Sequence, residues 1–235
     1  DNIIGGKAMF YGYGYPFDDT FILVIIGAVI SLLASLKVKS TFAKYTRVRS
    51  LSGLTGAEAA EMILHSAGIY NVAIRPISGN LTDHYDPRDK TLKLSESVYN
   101  KTSVAAIGVA AHECGHAIQD NEGYAPLRFR GALVPVVNFG SSISWPMILL
   151  GVFLGWSQVL INLGIILFSL AVLFQLVTLP VEFNASRRAV ETVERIGILR
   201  GDEVKHTRKV LNAAALTYVA GAAAAILQLI RLIIL

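Results

Sequence analysis

The sequence predicts a mainly α-helical, polytopic membrane protein with about four transmembrane helices and one polar α+β portion. Of its 235 residues, 53% are hydrophobic and only 16% are charged, whereas about a quarter of the residues in a soluble domain are charged. The apolar residues gather in four long runs of the kind that can cross a bilayer. Residues 40–130 instead mix charged residues, glycine and proline, so we expect them to fold outside the membrane.

The first apolar run extends from about Phe21 to Val38 and carries no charge before Lys37. Aromatic residues of the kind found at a membrane interface precede it: Phe10, Tyr11, Tyr13, Tyr15 and Phe17. Basic residues without an acid among them follow it: Lys37, Lys39, Lys44, Arg47 and Arg49. The positive-inside rule therefore predicts that the N-terminus lies outside the cell and that the chain from residue 40 onward is cytoplasmic.

Residues 1–8 precede Met9 and are expected to be an appended segment that takes no part in the fold. Residues 9–39 then form the N-terminal segment and the first transmembrane helix. A cleavable signal peptide is not expected, because a basic segment follows the apolar run where a small-residue cleavage site would stand.

The polar portion, residues 40–130, opens with a capping box from Thr55 to Glu58 that predicts a helix ending near Gly68. Three short β-type segments follow at 72–75, 81–85 and 91–94, separated by turn sequences at 78–80 and 86–89. An exposed edge strand of such a sheet can pair with an extended peptide, although a purely structural α+β layer explains these residues equally well. His84 is interpreted as a surface histidine.

The sequence AAHECGHAI at residues 110–118 contains an HExxH motif made by His112, Glu113 and His116. Positions i and i+4 share one face of a helix, with Cβ atoms about 5–6 Å apart, so the two imidazoles can converge on one Zn²⁺ ion. Glu113 can then act as general base toward water at the metal. The alternative is a helix with two ordinary histidines, but three buried polar side chains need partners, and a metal supplies them.

The local sequence agrees with a helix over residues 103–120. Thr102 and Ser103 offer an N-cap, and the residues from Val104 to Ile118 include no proline and no charge except Glu113. The chain's single cysteine, Cys114, excludes an internal disulfide framework. It faces away from the two histidines, so we interpret it as a small packing residue.

Residues 131–180 are predicted to hold the second and third transmembrane helices. The second span, from Gly131 to Gly155, is rich in small and hydroxyl residues, which lets membrane helices pack closely. A turn at 156–159 leads into a third span that ends near Leu179. Residues 181–211 form a basic polar segment, and residues 212–235 form the fourth span. Four crossings place 40–130 and 181–211 on the same side of the membrane.

A catalytic zinc ion commonly takes three protein ligands, so a third ligand is expected downstream of HExxH. The candidates are Glu182, Glu191, Glu194, Asp202, Glu203 and His206. Glu182 is favoured because it lies where an apolar helix leaves the bilayer, and a carboxylate so near hydrocarbon is costly unless it is paired or bound to a cation. The alternative is a salt bridge from Glu182 to Arg187 or Arg188.

Four segments taken together resemble the YugP-like family of bacterial membrane zinc metallopeptidases: HECGH, PVEFNASRRA, TDHYDPRDKTLKLSESVY and YAPLRFRGALVPVVN. The resemblance extends from the first span to the end of the chain. It implies a zincin-like fold for the cytoplasmic portion and a gluzincin-type centre with one Zn²⁺ per chain.

By that resemblance His112, His116 and Glu182 are the zinc ligands and Glu113 is the general base. Membrane relatives such as the prenyl-protein endopeptidases often carry an aspartate four residues after the third ligand. This chain has Ser186 there, so a supporting role of that aspartate does not carry over directly.

The expected function is a membrane-embedded zinc endopeptidase of the bacterial cell membrane, with its active site at the cytoplasmic face. Its partners are a peptide or membrane-protein substrate and the lipid bilayer, and no nucleic acid is expected. Tyr85, Arg187 and His206 are candidates for stabilising the oxyanion, by their chemistry alone.

Two other functions compete with this expectation. The first is a non-catalytic membrane protein with a structural zinc site. The second, a transporter or channel, is less favoured because the spans hold few charged residues and show no inverted repeat. Regulatory partners are not identified by the sequence.

Overall fold

The computed structural model describes residues 19–234, which form six helices and one three-stranded sheet. The helices are α1 (Phe21–Tyr45), α2 (Gly56–Ser66), α3 (Val104–Asn121), α4 (Ala125–Phe153), α5 (Gln158–Arg195) and α6 (Asp202–Ile234), and the strands are β1 (Ala73–Ile77), β2 (His84–Asp86) and β3 (Thr91–Ser95). This confirms the predicted mainly α fold with a small sheet. The predictions for residues 1–8 and for the aromatic residues at 10–17 lie outside the described residues.

The polar portion begins with the predicted capping box. The Thr55 hydroxyl accepts a hydrogen bond from the Glu58 backbone N–H at 3.2 Å, and the Glu58 carboxylate accepts one from the Thr55 N–H at 2.8 Å. After α2 ends at Ser66, Gly68 takes a left-handed conformation with φ of 72°. Such a φ favours glycine, which explains why the helix ends close to where the sequence predicts.

The sheet has the order β1-β3-β2, with β3 parallel to β1 and antiparallel to β2. The central strand β3 is buried, and its Leu92 and Leu94 are fully enclosed in the core under α2 and α3. All three predicted strands exist. The segment predicted as 81–85 becomes a strand only at His84, because Leu81 has a left-handed φ of 56° that does not fit an extended strand.

Helix α3 lies at the centre of the polar portion and packs against α2, α5 and α6. Two glycines let the long helices approach it closely. A Cβ atom on Gly115 would lie 2.6 Å from the Ala185 carbonyl oxygen of α5, and one on Gly108 would lie 3.0 Å from the Thr207 methyl of α6. Gly115 therefore allows α5, and Gly108 allows α6, to approach α3 more closely than a side chain at either position would permit.

Four helices are long and apolar enough to cross a membrane: α1, α4, α5 and α6. Many of their large apolar side chains are exposed, as lipid-facing residues would be. Helices α4 and α5 form a hairpin, in which the Ser144 hydroxyl donates to the Gly164 carbonyl at 2.8 Å. This contact confirms that the small and hydroxyl residues of the second span pack closely against another helix.

Two helices are longer than the apolar runs within them. Helix α5 continues past the predicted end of the third span, through Pro180, to Arg195, and α6 begins at Asp202 rather than near Ala213. An apolar run marks what a bilayer can cover, whereas a helix continues as long as its backbone hydrogen bonds do. Glu182 therefore stands inside a continuous helix, and not on a segment that follows one.

Candidate metal centre

The HExxH residues lie on α3, whose N-cap is Ser103 as predicted; its hydroxyl accepts from the Ala106 N–H at 3.2 Å. His112 and His116 share one face of the helix, with ring centroids 4.9 Å apart. Each side chain is 12% exposed. The two imidazoles are thus adjacent and sheltered from most of the solvent.

Glu182 reaches the same place from α5 and is 2% exposed. Its Oε2 atom lies 3.2 Å from His112 Nε2 and 3.5 Å from His116 Nε2. The potential ligand atoms of these three residues all lie within 4.8 Å of one another. Atoms bound tetrahedrally to zinc at about 2 Å are separated by about 3.3 Å, so the spacing and the chemistry of the three donors fit a zinc ion.

Hydrogen bonds determine which nitrogen of His116 is available. The Gln119 amide nitrogen donates to the Val181 carbonyl and to Asn184 Oδ1, both at 2.9 Å. The remaining amide oxygen of Gln119 lies 3.0 Å from His116 Nδ1. Because that oxygen can only accept, Nδ1 carries the proton and Nε2 presents its lone pair to the centre.

His112 is supported differently. Its Nδ1 atom lies 3.1 Å from the hydroxyl of Ser186 on α5. Ser186 stands four residues after Glu182, at the position where the prenyl-protein endopeptidases named above often carry an aspartate. A hydroxyl can accept the Nδ1 proton as a carboxylate does, but more weakly, so the position still contacts the first histidine.

The second oxygen of Glu182 is held by a residue that the sequence does not indicate. Oε1 lies 3.1 Å from Nη1 of Arg130 on α4. The predicted alternative, a salt bridge from Glu182 to Arg187 or Arg188, is wrong among the described residues. Glu182 pairs there with Arg130 and the two histidines, and Arg188 pairs with Glu122 at 2.8 Å. Arg130 therefore holds one carboxylate oxygen and leaves Oε2 facing the histidines.

Glu113 stands beside the three donors and is 9% exposed. Its Oε2 atom accepts a hydrogen bond from the backbone N–H of Tyr85 at 3.1 Å. Tyr85 is the middle residue of β2, and β2 is the edge strand on the α3 side of the sheet. The edge strand predicted from the sequence thus borders the HExxH motif.

A cavity of about 390 Å³ opens at this place. Glu113, His116 and Glu182 line it, together with Tyr85 from the edge strand. Leu127 and Val134 of α4 and Tyr218 of α6 complete the apolar and aromatic part of its wall. Tyr218 carries no local signal in the sequence, because a tyrosine in an apolar helix is ordinary.

The side chain of Tyr85 is already engaged. Its hydroxyl donates to Asp120 at 2.8 Å, and Lys90 pairs with the same carboxylate at 2.9 Å. Burial raises the pKa of Tyr85, and the hydrogen bond to Asp120 raises it further. The phenol therefore stays protonated, and it is the backbone of Tyr85 that meets Glu113.

A second carboxylate, that of Asp83, lies near Glu113 at the residue that precedes β2. The Asp83 carboxylate accepts hydrogen bonds from the Ser95 N–H at 2.7 Å and the Ser95 hydroxyl at 2.9 Å. Burial raises the pKa of Asp83, the hydrogen bonds from Ser95 oppose the rise, and the nearby charge of Glu113 adds to it. Two carboxylates thus flank the start of β2.

The other candidate ligands lie elsewhere. His206 stacks on Tyr45, with ring centroids 4.7 Å apart, and Glu203 accepts from the Leu51 N–H at 2.8 Å. Asp202 pairs with Lys205, whereas Glu191 and Glu194 are exposed on α5. Within residues 19–234, only His112, His116 and Glu182 form a group that could hold a metal ion.

Two further interpretations can be compared with the structure. Cys114 is fully buried, and its thiol lies 3.6 Å from the Ala60 carbonyl. Burial raises the pKa of the Cys114 thiol, which agrees with a packing residue. His84 lies at the wall of the cavity, with Nδ1 2.9 Å from the Thr82 carbonyl.

Comparison with known proteins covers almost the whole chain. The family model described as "Putative neutral zinc metallopeptidase" matches residues 20–235. The chain is 50% identical over 216 residues to the "Putative membrane protease YugP" of Bacillus subtilis (strain 168), a match that covers 92% of this chain and 96% of that protein. No solved structure matches. The similarity includes the donor group and all four long helices.

Proposed function

The chain belongs to the family of neutral zinc metallopeptidases described above, and from that premise we propose that it is a membrane-embedded zinc endopeptidase. His112, His116 and Glu182 would hold one zinc ion per chain, and Glu113 would be the general base. The observation that carries the proposal is the convergence of three donor atoms within 4.8 Å of one another beside a carboxylate that faces an open cavity.

A zinc ion held by His112, His116 and Glu182 would supply Lewis acidity, which would lower the pKa of water and polarise a carbonyl group. Glu113 accepts the proton of the attacking water and transfers it to the leaving amine. The Tyr85 N–H holds Oε2 of Glu113 at the cavity. Arg130, Gln119 and Ser186 orient the donor side chains by the contacts described above.

The edge strand supports a peptide as the substrate. An extended chain can pair with an exposed strand edge by main-chain hydrogen bonds. At β2 it would take over the Tyr85 N–H that Glu113 accepts in the free protein. Leu127 and Val134 of α4 provide apolar wall in the same cavity. A peptide bond laid along β2 would therefore pass the general base.

The long helices support a site at one membrane surface. The C-terminal ends of α1 and α5 and the N-terminal ends of α4 and α6 all adjoin the polar portion. The basic residues that follow the first apolar run favour the cytoplasmic side for this surface, by the positive-inside rule. Membrane proteins and peptides released from them are then the nearest substrates.

The test of the proposal is Glu113→Gln in the purified, detergent-solubilised protein. Zinc content should stay at the wild-type level, because the amide leaves the three ligands in place. Cleavage of an unfolded protein such as casein should fall by about 10²–10⁴-fold. The matched control is Glu61→Gln, an exposed acid on α2, which should cleave as the wild type does. Proteolysis by Glu113→Gln at the control rate would remove Glu113 from its role.

A structural zinc site is the alternative, and it differs in being closed to further ligands. The cavity beside Glu113 and His116 favours an open position. A hydroxamate added to the zinc-loaded protein should bind and raise its melting temperature. Absence of any shift at saturating hydroxamate, with zinc still bound, would support the structural role.

A further inference from the structure

A second cavity, of about 700 Å³, lies in a groove between α1 and α6. It shares no lining residue with the cavity at the metal centre. The two helices run antiparallel, since Gly27 contacts Ala224 near one end and Tyr45 stacks on His206 near the other. Phe183 of α5 closes one side of this groove, which we call the α1/α6 groove.

One end of the α1/α6 groove is strongly basic. Lys44 of α1 and Lys209 of α6 line this end, Lys37 lines the groove seven positions before Lys44 on α1, and all three lysines are exposed. No aspartate or glutamate lines the groove among the described residues, and none of these lysines forms a salt bridge there. Within residues 19–234, none of the three ammonium groups forms a salt bridge, and Lys209 interacts with Asp202 only at longer range.

The acids that stand nearest to these lysines along α6 are used elsewhere. Asp202 pairs with Lys205 at 2.8 Å. Glu203 is 7% exposed and accepts hydrogen bonds from the backbone N–H groups of Leu51 and Arg200. Both carboxylates therefore already have closer partners, and Asp202 interacts with Lys209 only at longer range than with Lys205.

The other end of the groove is apolar. Along α6 the lining changes from the polar Lys209 and Asn212 to the apolar Leu216 and Val219. These four residues are three or four positions apart, so they share one face of the helix. Leu216 is 46% exposed, Val219 is 40% exposed and Phe183 is 49% exposed. The apolar floor follows two helices that can cross a membrane, so it runs from the basic end toward the hydrocarbon.

We propose that the α1/α6 groove binds an anionic phospholipid. The phosphate would lie against Lys37, Lys44 and Lys209, and an acyl chain would lie along Leu216 and Val219. Basic pockets between helices at the cytoplasmic membrane surface recognise anionic head groups in this way. The apolar floor favours a lipid over a soluble phosphate, because a soluble ion would leave it uncovered.

The experiment measures lipid binding to the purified full chain by native mass spectrometry, with dioleoylphosphatidylglycerol and dioleoylphosphatidylcholine as probes. The wild type should retain phosphatidylglycerol in preference to phosphatidylcholine. The triple variant Lys37→Gln/Lys44→Gln/Lys209→Gln should weaken phosphatidylglycerol binding by about 100-fold, at about 1 kcal/mol for each lysine. Replacing the same three lysines by arginine should preserve binding.

The matched control removes the same charge from exposed positions outside the groove, as Lys39→Gln/Arg75→Gln/Lys101→Gln, and leaves the Lys205–Asp202 pair in place. It should bind phosphatidylglycerol as the wild type does. Equal loss in both triple variants would show that net charge alone attracts the lipid and would overturn the site. Equal retention of phosphatidylcholine by the wild type, or displacement of phosphatidylglycerol by an equimolar concentration of glycerol 3-phosphate, would overturn it as well.

Discussion

Helices α3 and α5 build the donor group together but contribute in different ways. Helix α3 has 18 residues, begins at a side-chain cap on Ser103, and carries two donor histidines and Glu113 within two turns. Helix α5 has 38 residues, no side-chain cap and a proline inside it, and it brings a single donor, Glu182. It also supplies Asn184 and Ser186, which support the histidines of α3.

The difference shows that the centre depends both on local helix geometry and on the packing of two distant helices. The relative positions of His112 and His116 follow from helix geometry alone. The position of Glu182 depends on how α5 packs against α3, and Gly115 is the place where the two backbones meet. Variants at the donor, at the helix contact and at the supporting groups therefore test the contribution of α5, and we expect their effects on zinc affinity to decrease in that order.

The largest effect is expected from Glu182→Gln, which keeps the shape of the side chain and removes its charge. Zinc affinity should fall by more than about 100-fold, since loss of a ligand exceeds the loss of a supporting group. Zinc is measured by metal analysis after dialysis against a competing chelator. Glu194→Gln, on the exposed face of the same helix, is the matched control. Full zinc content in Glu182→Gln would place the third ligand elsewhere.

The contact between the helices is tested by Gly115→Ala. The added Cβ would lie 2.6 Å from the Ala185 carbonyl oxygen, so α3 and α5 must separate, at a cost of about 1–3 kcal/mol. The melting temperature and the zinc affinity should both fall. Gly131→Ala is the control, because nothing lies within 4 Å of a Cβ there and alanine favours a helix. Equal behaviour of the two variants would contradict close packing at Gly115.

A smaller effect is expected from Gln119→Leu, which removes the acceptor for His116 Nδ1 and both hydrogen bonds to α5. Loss of such a supporting group costs about 10–100-fold in metal affinity. Competition with a fluorescent zinc chelator measures it. Gln158→Leu, exposed at the start of α5, controls for the change in polarity. Unchanged affinity would mean that His116 needs no partner to hold its tautomer.

The local signals of the chain predict much of the fold. Thr55 and Ser103 cap helices where the sequence indicates, and the HExxH spacing brings His112 and His116 together. Four apolar runs correspond to four helices that can cross a membrane. These features depend on residues that are close together in the sequence, so the local sequence is sufficient to predict them.

Other features depend on contacts between distant segments. Arg130 reaches Glu182 across 52 positions of the chain, and no local pattern distinguishes it from the nearby Arg128. Hydropathy does not indicate that α5 ends at Arg195, because a helix that leaves the apolar layer can continue through polar residues. The zinc-ligand roles stay predictions that the variants above can test, and the limits of the spans stay predictions as well.

The smallest effect is expected from Ser186→Ala, which removes only the hydroxyl that lies 3.1 Å from His112 Nδ1. A neutral hydrogen bond contributes about 0.5–1.5 kcal/mol, so zinc affinity should fall by less than about tenfold, below the effect of Gln119→Leu. Ser186→Asp restores a stronger acceptor and should equal or exceed the wild type in zinc affinity. If Ser186→Ala instead weakens zinc binding more than Gln119→Leu does, the contact of Ser186 with His112 matters more than that of Gln119 with His116. The Ser186 hydroxyl would then be the principal support of the centre.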